Sequence, residues 1–551
     1  MNFLEGCEES MFDLKIINGH IVDGSGKASY QGDLGIVGDR IVAIGDLREC
    51  ESGATIDAKG NVVAPGFIDM HTHSDLSVVY DRNANSKIHS GVTTEVVGNC
   101  GIGPAPIKEE NRGLLIDYLG TRLIGSIPVK IELPWTSFRE YLQHVEKTPP
   151  ALNVAPLVGQ GVVRIAVMGF AKGNPSAIEL KEMQRIVDTA MAEGALGLSS
   201  GLVYLPGEYS CAEEIGELCK TIAPYKGIYC THMRTESDGI MDAIEEALQI
   251  GAAGGVPVHI SHMKLLSQNM LGKTDLVLER LAKAERSGIE VSYDVYPYTA
   301  GLTSLSACMP PWIFEGGVDK MIGRLGDPAI RVRLRQEIAS GLPGWQNFVK
   351  SAGGWEKFFV SSVRSDENKV LEGKFITEIA EMQGKDPYDA AFDLLIAENG
   401  RVQMNYYAMK EEDVITFLQQ PQAMIGSDAM SLSAEGILSY GKPHPRAFGT
   451  PTRLLARYVR ELKALSLEDA IQKLSNRPAR RLGLGGRGLL RQGYHADIVI
   501  FNPDTVQDQA TYTEPKQYST GIETVIVNGQ VAVHKGCHQK AYQGRVLGRT
   551  E

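Results

Sequence analysis

The segment Gly66-Phe-Ile-Asp-Met-His71-Thr-His73 decides how the rest of the chain is read. Its first half is a short apolar run of strand character, and it ends in two histidines two residues apart. On a strand, side chains at i and i+2 face the same side, so both imidazoles can turn toward one metal ion. The bare pair is weak, because 12 histidines in 551 residues give about 0.3 His-x-His pairs by chance. Its weight comes from position. If this strand opens a parallel barrel, the pair stands at the C-terminal rim, where such barrels carry their chemistry.

Downstream, apolar strands alternate with helix-period segments. Strands are predicted at 67–70, 93–97, 153–158, 195–199, 228–231, 257–261, 290–294 and 423–426. Over 238–250, Asp238 can cap a helix, Ile240, Ala243, Ile244, Ala247 and Leu248 form one face, and Gly251 ends it. Such alternation means βαβ units and a parallel sheet, and eight strands match an α/β fold of the closed (β/α)8, TIM-like kind. The stretches 358–363 and 402–407 are also strand-like. They are assigned to an insertion late in the barrel, between the seventh and eighth strands, with its body at about 300–365. A doubly wound open sheet is the alternative, but no Gly-rich phosphate loop follows the first strands.

Upstream, residues 12–26 and 33–45 read as strands broken by turns, with a hairpin at Gly38–Asp39. The same texture returns only in GYHADIVIFNP and GIETVIVNGQVAVHKG near the other end. Chain termini often lie close together, so both ends are expected to build one small β-sandwich. The expected division is 1–65 and 487–551 for the sandwich and 66–486 for the barrel. Residues 1–10 show no pattern, which leaves Met11 as a second candidate start. No repeat of fixed period is present.

The charge balance, 55 Lys and Arg against 67 Asp and Glu, gives −12. An acidic chain without a basic run is poorly suited to gripping nucleic acid or an anionic membrane. The richest apolar stretch, 153–170, is interrupted by Gln160 and Arg164, so no membrane span is expected. The acidic start lacks a basic region followed by an apolar core. Eight scattered cysteines without a Cys-x-x-Cys pair fit a reducing cytoplasm. A small-molecule substrate is the expected partner, with the oligomeric state open.

Further metal-type side chains fall at later strand ends: Cys100 after TTEVVGN, His232 after GIYCT, His262 after VPVHIS and Asp428 after AMIGS. Each alone has an ordinary explanation as a buried thiol, a packed imidazole or a capping carboxylate. His259, three before His262, should face the opposite side and is excluded. His20, His89, His144, His444, His495, His534 and His538 have no comparable placement. Taken together, His71, His73, Cys100, His232, His262 and Asp428 form a set that chance rarely assembles. Imidazole, thiolate and carboxylate all suit zinc, a thiolate can bridge two ions, and a carboxylate beside an activated water is a base.

The ordered series PGFIDMHTHSD, GVTTEVVGNCGIGPAP, THMR, SHMK, DVYPYTAG, GSDA and HPRAFGT resembles the N-acyl-D-amino-acid deacylase (D-aminoacylase) family of the amidohydrolase superfamily. The similarity runs over nearly the whole chain, to GRGLLRQGYHADIVIFNPDTV. It implies a zinc-bearing barrel that hydrolyses the amide bond of N-acyl-D-amino acids. It also implies that Cys100 takes the bridging place filled elsewhere by a carboxylated lysine, holding the tighter zinc with His232 and His262. His71, His73 and Asp428 would surround a second, weaker position, with Asp428 as the catalytic base. Lys264, Tyr298, Ser304 and Arg446 resemble the residues that grip the substrate's α-carboxylate. Gln160 and Gly301 depart from the family's frequent His and Ser and bear on substrate preference. Tyr204, Arg234 and Glu236 also look family-like and receive no role, Arg234 and Glu236 being expected to pair locally. The competing readings are a cyclic amidohydrolase of dihydroorotase or hydantoinase type and an inactive barrel scaffold. The Cys100 bridge and the carboxylate-binding set argue against the first, and the intact ligand set against the second.

Overall fold

A computed structural model describes residues 11–123 and 129–549. Residues 1–10, with the choice between two starts, lie outside the described residues. The eight strands predicted from apolar runs all form. They are Phe67–Asp69, Val92–Val97, Asn153–Pro156 continued by Val158–Gly159, Gly197–Gly201, Ile228–His232, Val258–Ile260, Val291–Val295 and Ala423–Ile425. All pair in parallel and in chain order. The third strand serves its two neighbours with different halves: Asn153 pairs with Thr94, and Val158 with Leu198.

The barrel closes between its last and first strands. Met70 N donates to Ile425 O at 3.0 Å, Asp428 N donates to His71 O at 2.8 Å, and Thr72 bridges Ala429 in parallel. The seam therefore runs through the residues that carry His71 and Asp428. Every residue of these strands is buried, as a parallel sheet covered on both faces requires.

The connecting helices are amphipathic and cover the outside. The helix Ile240–Gly254 buries the predicted face of Ile240, Ala243, Ile244, Ala247 and Leu248. Its ends differ from expectation. Gly239 is the N-cap, while Asp238 accepts hydrogen bonds from Ser267 and Asn269, and the helix runs past Gly251 to a left-handed Gly255 at φ 66°. Helices Phe138–Lys147 and Ala177–Ala192 begin with full capping boxes at Ser137 and Ser176.

Both chain ends join in one nine-stranded sheet, with Val62–Pro65 paired antiparallel to Ile498–Phe501. Strand Phe12–Ile21 pairs with three others, parallel to Ser52–Asp57 and Val62–Pro65 and antiparallel to Tyr30–Val37. Ile16, Ile36, Val63, Ile498 and Ile526 from both ends share one core, so the sheet folds over on itself.

Between the seventh and eighth strands lies a module with its own core of Leu305, Leu334, Phe358, Phe392 and Met404. Its antiparallel sheet has Gln403–Tyr407 in the centre, between Ala300–Ser304 and Phe358–Ser362. The body expected at about 300–365 is thus too short. The central strand comes last in sequence, and the sheet cannot form without it. Among the described residues no helix is long and apolar enough to cross a membrane.

Candidate metal centre and substrate cavity

Five strand ends deliver the six side chains to one place. His71 and His73 follow the first strand, Cys100 the second, His262 the sixth and Asp428 the eighth, while His232 closes the fifth. Cys100 Sγ lies 3.3 Å from His71 Nε2, 3.8 Å from His232 Nδ1 and 3.7 Å from His262 Nε2. His232 Nδ1 and His262 Nε2 are 2.8 Å apart. His73 Nε2 is 3.1 Å from Asp428 Oδ1, which is also 3.6 Å from His71 Nε2. The donor atoms of His71, Cys100 and His262 lie within 4.8 Å of one another, and so do those of His71, His73 and Asp428. His71 links the two sets.

The backbone is strained where it presents these groups. Cys100, His262 and Asp428 have φ of 55°, 37° and 51°, in the left-handed region that residues with a Cβ rarely occupy. Such outliers persist only where surrounding structure over-determines them, and they gather at functional sites. Gly426, just before Asp428, is required by close approach: a Cβ there would lie 2.5 Å from Asp294 Oδ1 and 2.6 Å from His71 Cβ.

Three residues outside the predicted set orient it. Asp294 Oδ2 accepts from His71 Nδ1 at 3.2 Å and from His259 Nε2 at 3.0 Å. Glu236 Oε1 is 2.9 Å from His262 Nδ1 and accepts from Lys264 Nζ at 2.5 Å. A carboxylate on the far nitrogen of a ligand imidazole fixes its ring and tautomer. His259 does stay out of the ligand set, but it holds Asp294. Arg234 and Glu236 do not pair locally: Arg234 binds Glu246 at 2.8 Å, and Glu236 turns inward. The only sequence signal for Asp294 and Glu236 was an acid near the end of an inner strand, which is common.

Charge settles the protonation states. Burial opposes ionisation of Cys100, but the His71 charge and hydrogen bonds from His232, His262 and His71 hold the thiol well below its usual range. Burial likewise opposes the charge on Asp428, which the Arg446 guanidinium and the imidazoles hold well below the carboxylate range. Lys264 and His262 hold Glu236 at about 2 against its burial. The result is a buried thiolate facing two imidazole nitrogens in contact, beside an ionised carboxylate. This sulfur, nitrogen and oxygen donor set fits zinc.

A cavity opens over these donors, lined in part by Leu302, Ser304, Phe348 and Tyr406 of the inserted module. Lys264 and Arg446 line it, and Arg446 Nη2 is 2.9 Å from Asp428 Oδ2. Ser304 also lines it, with its hydroxyl accepting from Arg122 Nη1 at 3.3 Å. Tyr298 is not on the cavity wall. Its ring stands edge-on to His444 at 5.2 Å and beneath Arg453 at 4.8 Å, because the chain turns after Tyr296 and carries it behind the wall. His444, set aside in the sequence, does line the cavity and donates to Ala300 O at 2.9 Å. Gly301 is paired with Tyr406, and a Cβ there would lie 2.3 Å from the ring's Cζ. Gln160 is buried away from the cavity, donating to Ser210 and Glu214.

Nitrogen, sulfur and carboxylate donors converging at the C-terminal rim of a (β/α)8 barrel define a metal-dependent hydrolase site. The amidohydrolase family model matches residues 54–304 and 369–533, and the chain belongs to that family. It is 36% identical to the D-aminoacylase of Alcaligenes xylosoxydans xylosoxydans, over 98% of each chain. A solved N-acyl-D-glutamate deacylase from Bordetella bronchiseptica, complexed with zinc and a phosphonate inhibitor, superposes with a TM-score of 0.81. It is 31% identical, over 98% of this chain and all of that one. D-hydantoinase from Bacillus sp. AR9, at 15% identity and a TM-score of 0.54 over 98% of this chain and 99% of that one, shares the fold alone.

Proposed function

We propose that the protein hydrolyses N-acyl-D-amino acids to a carboxylate and a free D-amino acid with zinc as cofactor. One ion would be held tightly by Cys100, His232 and His262, with a second, weaker position at His71, His73 and Asp428. The observation that carries this reading is the meeting of Cys100, His232 and His262 beside the Asp428–Arg446 ion pair in one cavity. When bound, zinc would polarise the scissile carbonyl and make water acidic enough to attack it near neutral pH. Asp428, ionised by its neighbours, accepts the proton of the attacking water and passes it to the leaving nitrogen. Arg446 holds Asp428 with one Nη, and its buried Nε has no other partner, so the guanidinium has a donor left for the α-carboxylate. Lys264, anchored by Glu236, supplies a second. Fixing that carboxylate orients the stereocentre, so chirality is read by which way the side chain can point.

The partner is thus a small molecule, and neither nucleic acid nor membrane enters the reaction. A thiolate ligand must stay reduced, which supports a cytoplasmic location. The deciding experiment pairs metal analysis with a panel of N-acetyl-D- and L-amino acids. The expected outcome is zinc in the protein, release of D-amino acids only, and loss of turnover on chelation with recovery on adding zinc. Equal release of L-amino acids, or full activity in metal-free protein, would sink the proposal.

A further inference from the structure

Resting on the deacylase reading, we infer that Arg122 receives a second carboxylate of the substrate, on the amino acid's side chain, which makes acidic D-amino acids the preferred product class. Three cationic side chains line the cavity: Arg122, Lys264 and Arg446. Two are neutralised within the wall, Lys264 by Glu236 at 2.5 Å and Arg446 by Asp428 at 2.9 Å. Arg122 forms no ion pair among the described residues. Glu208, in the adjoining pocket that also reaches Arg122, feels its charge but stands beyond ion-pair distance.

Arg122 is nevertheless held in place. It ends the helix Arg112–Arg122, donates to Ser304 Oγ at 3.3 Å and lies over the Tyr204 ring at 4.5 Å. Tyr204 in turn stands edge-on to the ligand His232 at 4.9 Å. The guanidinium is therefore fixed on the His232 side of the donor set, while Arg446 is fixed on the Asp428 side. An α-carboxylate at Arg446 leaves Arg122 facing another part of the same substrate. A guanidinium matches a planar carboxylate with two parallel hydrogen bonds, and a half-buried cation without an internal counter-charge on a cavity wall favours an anion over a neutral isostere.

The test compares kcat/KM for N-acetyl-D-glutamate and N-acetyl-D-glutamine, which differ in charge but hardly in shape. Zinc-loaded wild type should prefer the glutamate by tenfold or more. Arg122→Gln should lower that preference by about ten- to hundredfold. Arg122→Lys, which keeps the charge but not the fork, should retain part of it. Wild-type preference for glutamine overturns the inference whatever the variants do. So does an equal fall for both substrates in Arg122→Gln, which would place Arg122 at the α-carboxylate. So does dependence on Arg122 for N-succinyl-D-leucine in place of N-acetyl-D-glutamate, since the second carboxylate would then be on the acyl side. Turnover of other N-acetyl-D-amino acids with no use of the glutamate removes this inference alone; turnover of none removes the deacylase reading with it.

Discussion

Asp428 and Glu236 are both ionised carboxylates beside candidate ligand imidazoles, Asp428 at His71 and His73 and Glu236 at His262 and His232, and the geometry gives them separable duties. Asp428 faces the cavity and lies outside the Cys100, His232 and His262 set, so Asp428→Asn should lower kcat by about 10²–10⁴-fold while the tightly held zinc, measured by elemental analysis after dialysis, is retained. Glu236 touches the back of His262, so Glu236→Gln should weaken zinc binding by about 10–100-fold in chelator competition, with activity recovering at high zinc. The six ligand-type residues were legible because each is a chemically distinctive side chain at a strand end. Asp294 and Glu236 were not. An acid becomes an orienting group only through what lies across the barrel from it, and no spacing in the chain encodes that. Gly426 belongs to the same class: Gly426→Ala would press on Asp294 and His71 together. It should destabilise by about 1–3 kcal/mol and also loosen the metal, readable as a lower melting midpoint and faster loss of zinc.

At the level of elements, the eight barrel strands could be read because buried parallel strands are short apolar runs set between amphipathic helices. The inserted module resisted the same reading. Its central strand, Gln403–Tyr407, draws its partners from about 45 and 100 residues earlier, and the helices between carry their own apolar faces. Tyr298 entered the expected set through the resemblance of its motif, which carries no facing; the strand ends at Val295 and the chain beyond it sets the ring against His444 and Arg453, behind the cavity wall. The Gly301–Tyr406 pair gives this element a measurable consequence. Gly301→Ser should displace the Tyr406 ring from the cavity wall, lowering stability by about 1–3 kcal/mol and raising KM more than it lowers kcat. Tyr406→Ala is itself costly because the ring is buried against Phe348 and Phe358, but combined with Gly301→Ser it should lower the melting midpoint by less than the sum of the two single changes, the non-additivity expected of residues in direct contact.

Across the whole molecule, barrel and terminal sheet meet through stacked rings. His89 lies on Tyr518 at 4.5 Å, with His538 at 6.3 Å. Burial, aided by the His538 charge, lowers His89 to about 4 from 6.5. A histidine held neutral in the folded state contributes stability that is fully present above pH 6.5 and is lost as pH falls through about 4. The stability of wild type relative to His89→Gln should therefore decline over that interval, by up to roughly 3 kcal/mol, in denaturant titrations at several pH values. A constant difference would assign the contact to packing alone.

The closing seam has a temporal meaning as well. The donors begin at His71 and end at Asp428, and the strand bearing the last of them is the one that completes the cylinder. On the proposed reading, synthesis must pass Asp428 before the second position could be complete, because the segment that brings this carboxylate is also the one that seals the barrel against His71. Loading of both proposed positions would therefore come after the inserted module has been made, since that module precedes Asp428 in the chain.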